Sequence, residues 1–383
     1  MGPLSGLRVV EIAGIGPGPF CAMLLSDLGA DVLRVDRATD VDVDEIAESP
    51  DFLLKRGRRS VAVDLKHPDG VATVLGLAER ADALIEGFRP GVAERLGIGP
   101  QECTAVNPRL VYGRMTGWGQ TGADADEPGH DLNYVAITGA LAAIGRPGRP
   151  PVPPLNLVGD FGGGGMLLAV GILAATLEAQ RSGRGQVVDA AMADGVALLA
   201  TLFYGMRDLG QWNDALASNL IDGGAPFYDV YETADGGHVA VGAIEPQFYA
   251  SLLRVLEIDG GPPADQMDQA TWPALRQRIA AAFRTRTRDE WCEEMRGAEA
   301  CFAPVLDWDE ARTHPANVER ERFVEHAGHV QPAPAPRFER TPGAIAGPPA
   351  LPGEHTREAL AAWGVPAERV DALIDSGAVR AKA

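Results

Sequence analysis

Three ionisable side chains stand where the chain passes from loop or strand into helix, and each could carry a proton. His130, in Gly129-His130-Asp131, follows the loop 120–128 and opens a helical stretch expected over 132–144. An imidazole at a helix start lies in the positive end of the helix field, which opposes its protonation and suits a base. The plainer alternative makes Asp131 the helix N-cap and His130 a filler. Asp160 precedes an apolar helix through Phe161 and four glycines, 162–165. It is either the N-cap of that helix or a working carboxylate beside backbone N–H groups that glycine leaves accessible to a developing oxyanion. Glu245 ends the β-like run 238–244 directly before Pro246, a favoured first residue of a helix, and by itself reads as a capping carboxylate.

A second group of residues could hold an anion. Lys55-Arg56-Gly57-Arg58-Arg59 sets four positive charges within five residues, in a chain of 34 Lys plus Arg against 53 Asp plus Glu and a net charge of −19. Guanidinium groups grip phosphate bidentately and a lysine adds a point charge, so the island suits a polyphosphate; the alternative is a solvated basic turn. Arg34, Arg37, Arg89 and Arg95 lie at or just beyond the ends of expected strands, where open parallel sheets bind ligands. Gly14-Ile15-Gly16-Pro17-Gly18-Pro19 imitates a dinucleotide loop, but its prolines remove N–H donors and the GxGxxG spacing is missing. A tight strand-to-helix turn is expected there, not a NAD site. Glu325, His326 and His329 are poorly spaced for a metal and have no third ligand type recurring nearby, so no metal site is expected.

These residues need elements to hold them. Apolar, β-branched runs at 7–12, 31–36, 60–65, 82–86, 110–116 and 186–192 alternate with helical stretches such as 20–28 and 70–80. Strand, helix, strand at this spacing predicts an α/β fold with a doubly wound parallel sheet. The texture changes near Asp222, where a small β-rich unit turns at Asp235-Gly236-Gly237; helical pattern follows at 247–256 and 271–296. The expected division is a large domain over 1–205, a linker over 206–221, a small α+β domain over 222–295, and a return segment over 296–383. The proline-rich stretch 331–352 cannot form a sheet interior and should wrap another surface as extended chain. Two short helices, 357–363 and 368–374, close the sequence.

The acidic balance excludes nucleic acid as a general partner, since phosphate backbones are held by basic surfaces. The longest apolar run, near 165–177, is short of the roughly 20 residues of a bilayer span, so no membrane association is expected. Four cysteines without CxxC spacing and an N-terminus lacking the features of a signal peptide point to a reducing cytoplasm.

In order along the chain, the motifs from Gly2 to Glu11, Leu28 to Arg37 and Val63 to Lys66, then Glu86-Gly87-Phe88-Arg89-Pro90-Gly91, Glu94 to Gly97 and Thr116 to Gly122, resemble the family III CoA-transferase superfamily. Gly129 to Tyr134, Pro153 to Gly164 and Val241 to Pro246 are similar to its racemase branch, which inverts the α-carbon of 2-methylacyl-CoA thioesters. The resemblance implies a Rossmann-like large domain built from N- and C-terminal parts, a small domain, and an interlocked homodimer with its site between the large domain of one copy and the small domain of the other. It implies CoA contacts at Arg37, at Val63, Asp64, Leu65 and Lys66, at Gly87, Phe88 and Arg89, and at Arg95. Substrate contacts are implied at Gly129, Asp131, Leu132, Asn133 and Tyr134. No cofactor is implied, coenzyme A being part of the substrate.

Inversion next to a thioester needs one group to take the α-proton from one face and another to return a proton to the opposite face, through an enolate whose oxygen needs donors. His130 and Asp160 match the two bases and Glu245 the carboxylate paired with the histidine. In the transferases of the superfamily the aspartate matching Asp160 is a nucleophile. The histidine of the 129–131 motif favours the racemase, because a second base is useless to a transferase. A non-catalytic CoA-thioester binder is the remaining alternative. The acidic loop 38–50, beside the expected phosphate site, either covers coenzyme A or repels competitors.

Overall fold

A computed structural model describes residues 2–43, 49, 51–259 and 265–382. Most of the acidic loop's tip, 44–48 and 50, lies outside them. The chain forms two compact units, one of Met1–Thr138, Leu155–Leu199 and Glu321–Ala383, the other of Gly139–Pro154 and Ala200–Arg320.

The first unit is built on a mostly parallel sheet. Its strands are β1 (Arg8–Ile12), β2 (Asp31–Arg37), β3 (Arg59–Val63), β4 (Ala83–Glu86), β5 (Val111–Thr116) and β6 (Val187–Ala191), in spatial order β3-β2-β1-β4-β5-β6. The short strand Val379–Arg380 pairs antiparallel with the outer side of β3. Every residue of β4 and β5 is buried, which is why neither strand alternates between apolar and polar residues. Successive residues still point to opposite faces. Val9, Val32, Ala83 and Val111 pack with Cys21, Leu25, Leu168 and Ile172 from the helices Pro17–Asp27 and Leu167–Ser182. Val10, Leu33, Leu84 and Tyr112 pack with Val74 and Leu77 of the helix Pro68–Ala78 and with Leu360 and Trp363 near the C-terminus. The proline-rich stretch does run over this unit as extended chain, donating from Ala344 N to Asp27 O and accepting at Gly347 O from Gly57 N and at Ala350 O from Arg34.

Three helical expectations need correction. The stretch 132–144 is not one helix: it is α-helical over Asp131–Ile137, turns at Gly139, whose φ is 79°, and adds a short 3-10 turn at Leu141–Ala143. The stretch 271–296 is two helices, Trp272–Phe283 and Arg288–Glu294; Thr287 and Glu290 form a capping box that starts the second. The apolar helix begins before Asp160: a 3-10 turn Leu155–Leu157, kinked at Asn156, is followed by a π-helical segment Val158–Met166 that runs directly into Leu167–Ser182. By length and composition alone these 28 residues could cross a bilayer, which the shorter apolar run did not suggest. Its glycines, however, are packed inside the unit.

The second unit carries an antiparallel sheet of Tyr228–Glu232, His238–Gly242 and Phe302–Val305. Its core is aromatic, with Phe227, Tyr249, Trp272, Phe283 and Trp291 buried together. The unit extends well beyond the expected 222–295, because Phe302–Val305 supplies its third strand and Arg146, in the segment 139–154, pairs with buried Asp229 at 2.6 Å.

Candidate active site

The C-terminal ends of β1, β4 and β5 open onto a cavity of about 1060 Å³, as expected for a ligand site of an open parallel sheet. Its walls are the turn 13–19 after β1, the loop 87–90 after β4, the loop region 117–130 after β5, and Asn156, Asp160, Phe161 and Met192. Trp118 meets Tyr134 edge to face at 4.7 Å and donates from its indole to Glu127 O at 3.1 Å, which ties down the loop before His130. Gly117 and Gly129 are required here, since a Cβ on either would fall 2.1 Å or 2.7 Å from the Tyr134 ring.

His130 and Asp160 both line this cavity. His130, rather than Asp131, is the N-cap of the helix Asp131–Ile137; its backbone N–H donates to Asn133 Oδ1 at 3.0 Å. Asp131 is buried instead of capping, and its carboxylate accepts the backbone N–H of Asp160 at 2.7 Å. Asp160 is likewise no cap, for it lies inside the π-helical segment, a geometry that often marks functional positions. Asn156 donates to its carboxylate at 3.3 Å. Burial raises the Asp160 carboxyl above the ordinary aspartate range; Asn156 and His130 oppose the rise and the charge of Asp131 adds to it. A raised pKa makes the carboxylate a better proton acceptor than a surface aspartate.

The glycine run does other work than expected. Gly163, Gly164 and Gly165 are buried, and a Cβ on them would meet Val196 N at 2.8 Å, Met192 Cγ at 2.9 Å and Pro17 O at 2.7 Å respectively. These glycines allow helices to touch; they line no part of the cavity and offer it no oxyanion donors. The turn 14–19, expected only to connect β1 to its helix, is itself cavity wall. Gly16 adopts a left-handed φ of 65°, and a Cβ there would be 3.2 Å from Asp160 Oδ2.

The cations divide. Arg37 and Arg89 line the cavity, exposed and without an ion pair among the described residues. Glu86, fully buried, shapes the second of these loops by accepting Phe88 N at 2.7 Å while Arg114 holds its other oxygen at 2.9 Å. The basic island, by contrast, is mostly structural. Arg58 is buried against Glu11 at 2.7 Å and Arg56 against Asp27 at 2.5 Å, and Arg59 pairs with Asp31 at 2.7 Å. Arg34 is buried with Asp36 at 2.8 Å. Val63 belongs to the core and Leu65 packs against it, Asp64 accepts the Lys66 N–H at 2.9 Å, and Lys66 is exposed; none of the four lines the cavity. Arg95, Leu132 and Asn133 lie outside the cavity wall.

Residues 4–356 match the family described as CoA-transferase family III. The chain belongs to this family. It is 43% identical to the mouse α-methylacyl-CoA racemase over 386 residues and 42% identical to the human one over 387, with 99% of each chain covered in both comparisons. A crystal structure of a Mycobacterium tuberculosis protein, 27% identical, superposes with a TM-score of 0.77 over 93% of this chain and 98% of its own. In this member of family III, Glu245 lies in the second unit as the exposed N-cap of the helix Pro246–Val255, and its side chain accepts no capping hydrogen bond. Its carboxylate is therefore not spent on the helix, contrary to the plainer alternative.

Proposed function

We propose that this protein inverts the α-carbon of 2-methylacyl-CoA thioesters, with His130 and Asp160 as opposing acid/base groups. The observation that carries this is the presence of both side chains in one cavity at the sheet's ligand-binding edge, near enough for their charges to interact. One group takes the α-proton as the C–H bond breaks, the electron pair moves onto the thioester oxygen as an enolate, and the other group delivers a proton to the opposite face. Asp160, made more basic by its burial, suits one half of that exchange. Arg37, Arg89 and Lys66 are the cations for the phosphates of coenzyme A, which arrives as part of the substrate; the reaction requires no other cofactor or metal.

The large unit is read as Rossmann-like, on the strand order β3-β2-β1-β4-β5-β6. The working form is an interlocked homodimer in a reducing cytoplasm, in which the small domain of the other copy brings Glu245 to His130. Support for a second copy comes from the helix Leu167–Ser182 and the residue before it: Met166, Val170 and Leu177 are more than half exposed and fall on one helical face.

Incubating one epimer of a 2-methylacyl-CoA in D2O tests the proposal. Deuterium should enter the α-carbon as the other epimer appears, and His130→Ala should abolish inversion while CoA binding remains. Absence of α-deuterium, with CoA transfer to an added carboxylic acid and hydroxylamine-sensitive labelling of Asp160, overturns it in favour of a transferase.

A further inference from the structure

Asp131 occupies a position that substrate contact does not explain. It is buried, absent from the cavity wall, adjacent in sequence to His130, and bonded through Oδ1 to the backbone N–H of Asp160 at 2.7 Å. Room for that bond is made by a glycine: a Cβ on Gly159 would sit 2.3 Å from Asp131 Oδ1 and 2.8 Å from its Cγ. One carboxylate thus belongs to the chain segment that presents the first base and grips the segment that presents the second.

We infer that Asp131 is a positioning residue that sets the spacing between His130 and Asp160 across the α-carbon, an assignment that rests on the two-base function proposed above. The need for such a tie follows from the chemistry. Two groups must reach the same carbon from opposite faces, and a misplacement of about 1 Å costs on the order of 100-fold in rate. The π-helical segment of Asp160 lacks the α-helical hydrogen-bond register. A bond from outside the segment fixes the Asp160 backbone where its own helix does so less regularly. The charge of Asp131 also helps to raise the Asp160 carboxyl, after the larger effect of burial.

The test follows α-deuterium uptake and inversion separately, starting from each epimer in D2O, for the wild type, Asp131→Ala and Asp131→Asn. In Asp131→Ala the Asp160 side is displaced and the His130 side is not. The epimer deprotonated by Asp160 should lose its proton about 100-fold more slowly. The other epimer should still exchange into recovered substrate while its inversion falls, so that exchange outruns inversion from one side only. Asp131→Asn keeps an acceptor oxygen and should restore inversion substantially. With the charge gone, the acid limb of its kcat/KM profile should move to lower pH. A merely structural role predicts something else: both epimers slowed alike in Asp131→Ala, or an Asp131→Asn profile unmoved from wild type, and either result overturns the inference. If Asp131→Ala fails to fold, Gly159→Ala, whose Cβ would fall 2.3 Å from Asp131 Oδ1 and push the bond aside with the charge kept, should slow the same epimer alone, and both epimers slowed alike overturns the inference. A wild type that incorporates no deuterium from either epimer defeats the two-base function itself, which is a distinct outcome.

Discussion

Arg56 and Arg58 lie in the densest run of positive charge in the chain, whereas Arg37 and Arg89 are scattered singles; in the folded unit their roles are the reverse of what density suggests. The side chains of Arg58 and Glu11 are 0% and 1% exposed, so this pair is an internal tie between the β1 strand and the segment entering β3. Arg37, the last residue of β2, and Arg89, in the loop after β4, converge on one cavity. A ligand is met by cations that the topology leaves unpaired, and local charge density says little about which those are.

The largest effect separating the two sets should come from Arg58→Met. It leaves Glu11 charged and buried, at a cost of about 3–5 kcal/mol in urea unfolding, and adding Glu11→Leu should recover much of the loss. Arg37→Ala and Arg89→Ala should leave unfolding within about 0.5 kcal/mol of wild type. Each should raise KM for acyl-CoA by about tenfold or more, from loss of a charge-assisted contact of about 1.5–3 kcal/mol. The comparison breaks if Arg58→Met keeps its stability and loses acyl-CoA affinity. Asp160 offers a finer test, being half-buried and without an arginine partner. A raised carboxyl pKa means that the folded state binds this proton more tightly than the unfolded state. Its stabilising effect is present at low pH and fades as pH rises from the ordinary aspartate value through the raised one. Asp160→Asn should therefore gain stability over wild type at neutral pH, with the difference vanishing in acid, even as it loses inversion. The smallest effect is expected of Gly16→Ala, which strains a left-handed turn and crowds Asp160, lowering kcat without changing KM.

The sheet was largely legible because its parallel strands are rich in apolar and β-branched residues even where they carry buried charges such as Arg34, Asp36 and Arg114; 31–36 and 110–116 differ from β2 and β5 by one residue at one end. The site was legible where the chemistry is local, as in a histidine and an aspartate at apparent helix starts and arginines after strands. It was not legible where partners are distant. Glu11 lies 47 residues from Arg58 and Asp131 lies 29 from Asp160, so neither the burial of the first pair nor the grip of the second has a signal in the intervening sequence. The glycine run misled because close helix contact and close ligand approach demand the same missing Cβ. The π-helical segment carries no spacing pattern of its own and moved the helix start upstream of Asp160.

The strand Val379–Arg380 and the buried Trp363 have a consequence for biosynthesis. Every described residue lining the cavity has been synthesised once Met192 is made, yet one face of the sheet still lacks Leu360, Trp363, Val370, Leu373 and Val379. That core must wait for the last stretch of chain, while the smaller unit can close earlier around its own aromatic residues. A premature stop in the final helices would spare all the chemistry of the cavity wall and still release a product with an open apolar face, one that cellular quality control removes before it turns over substrate.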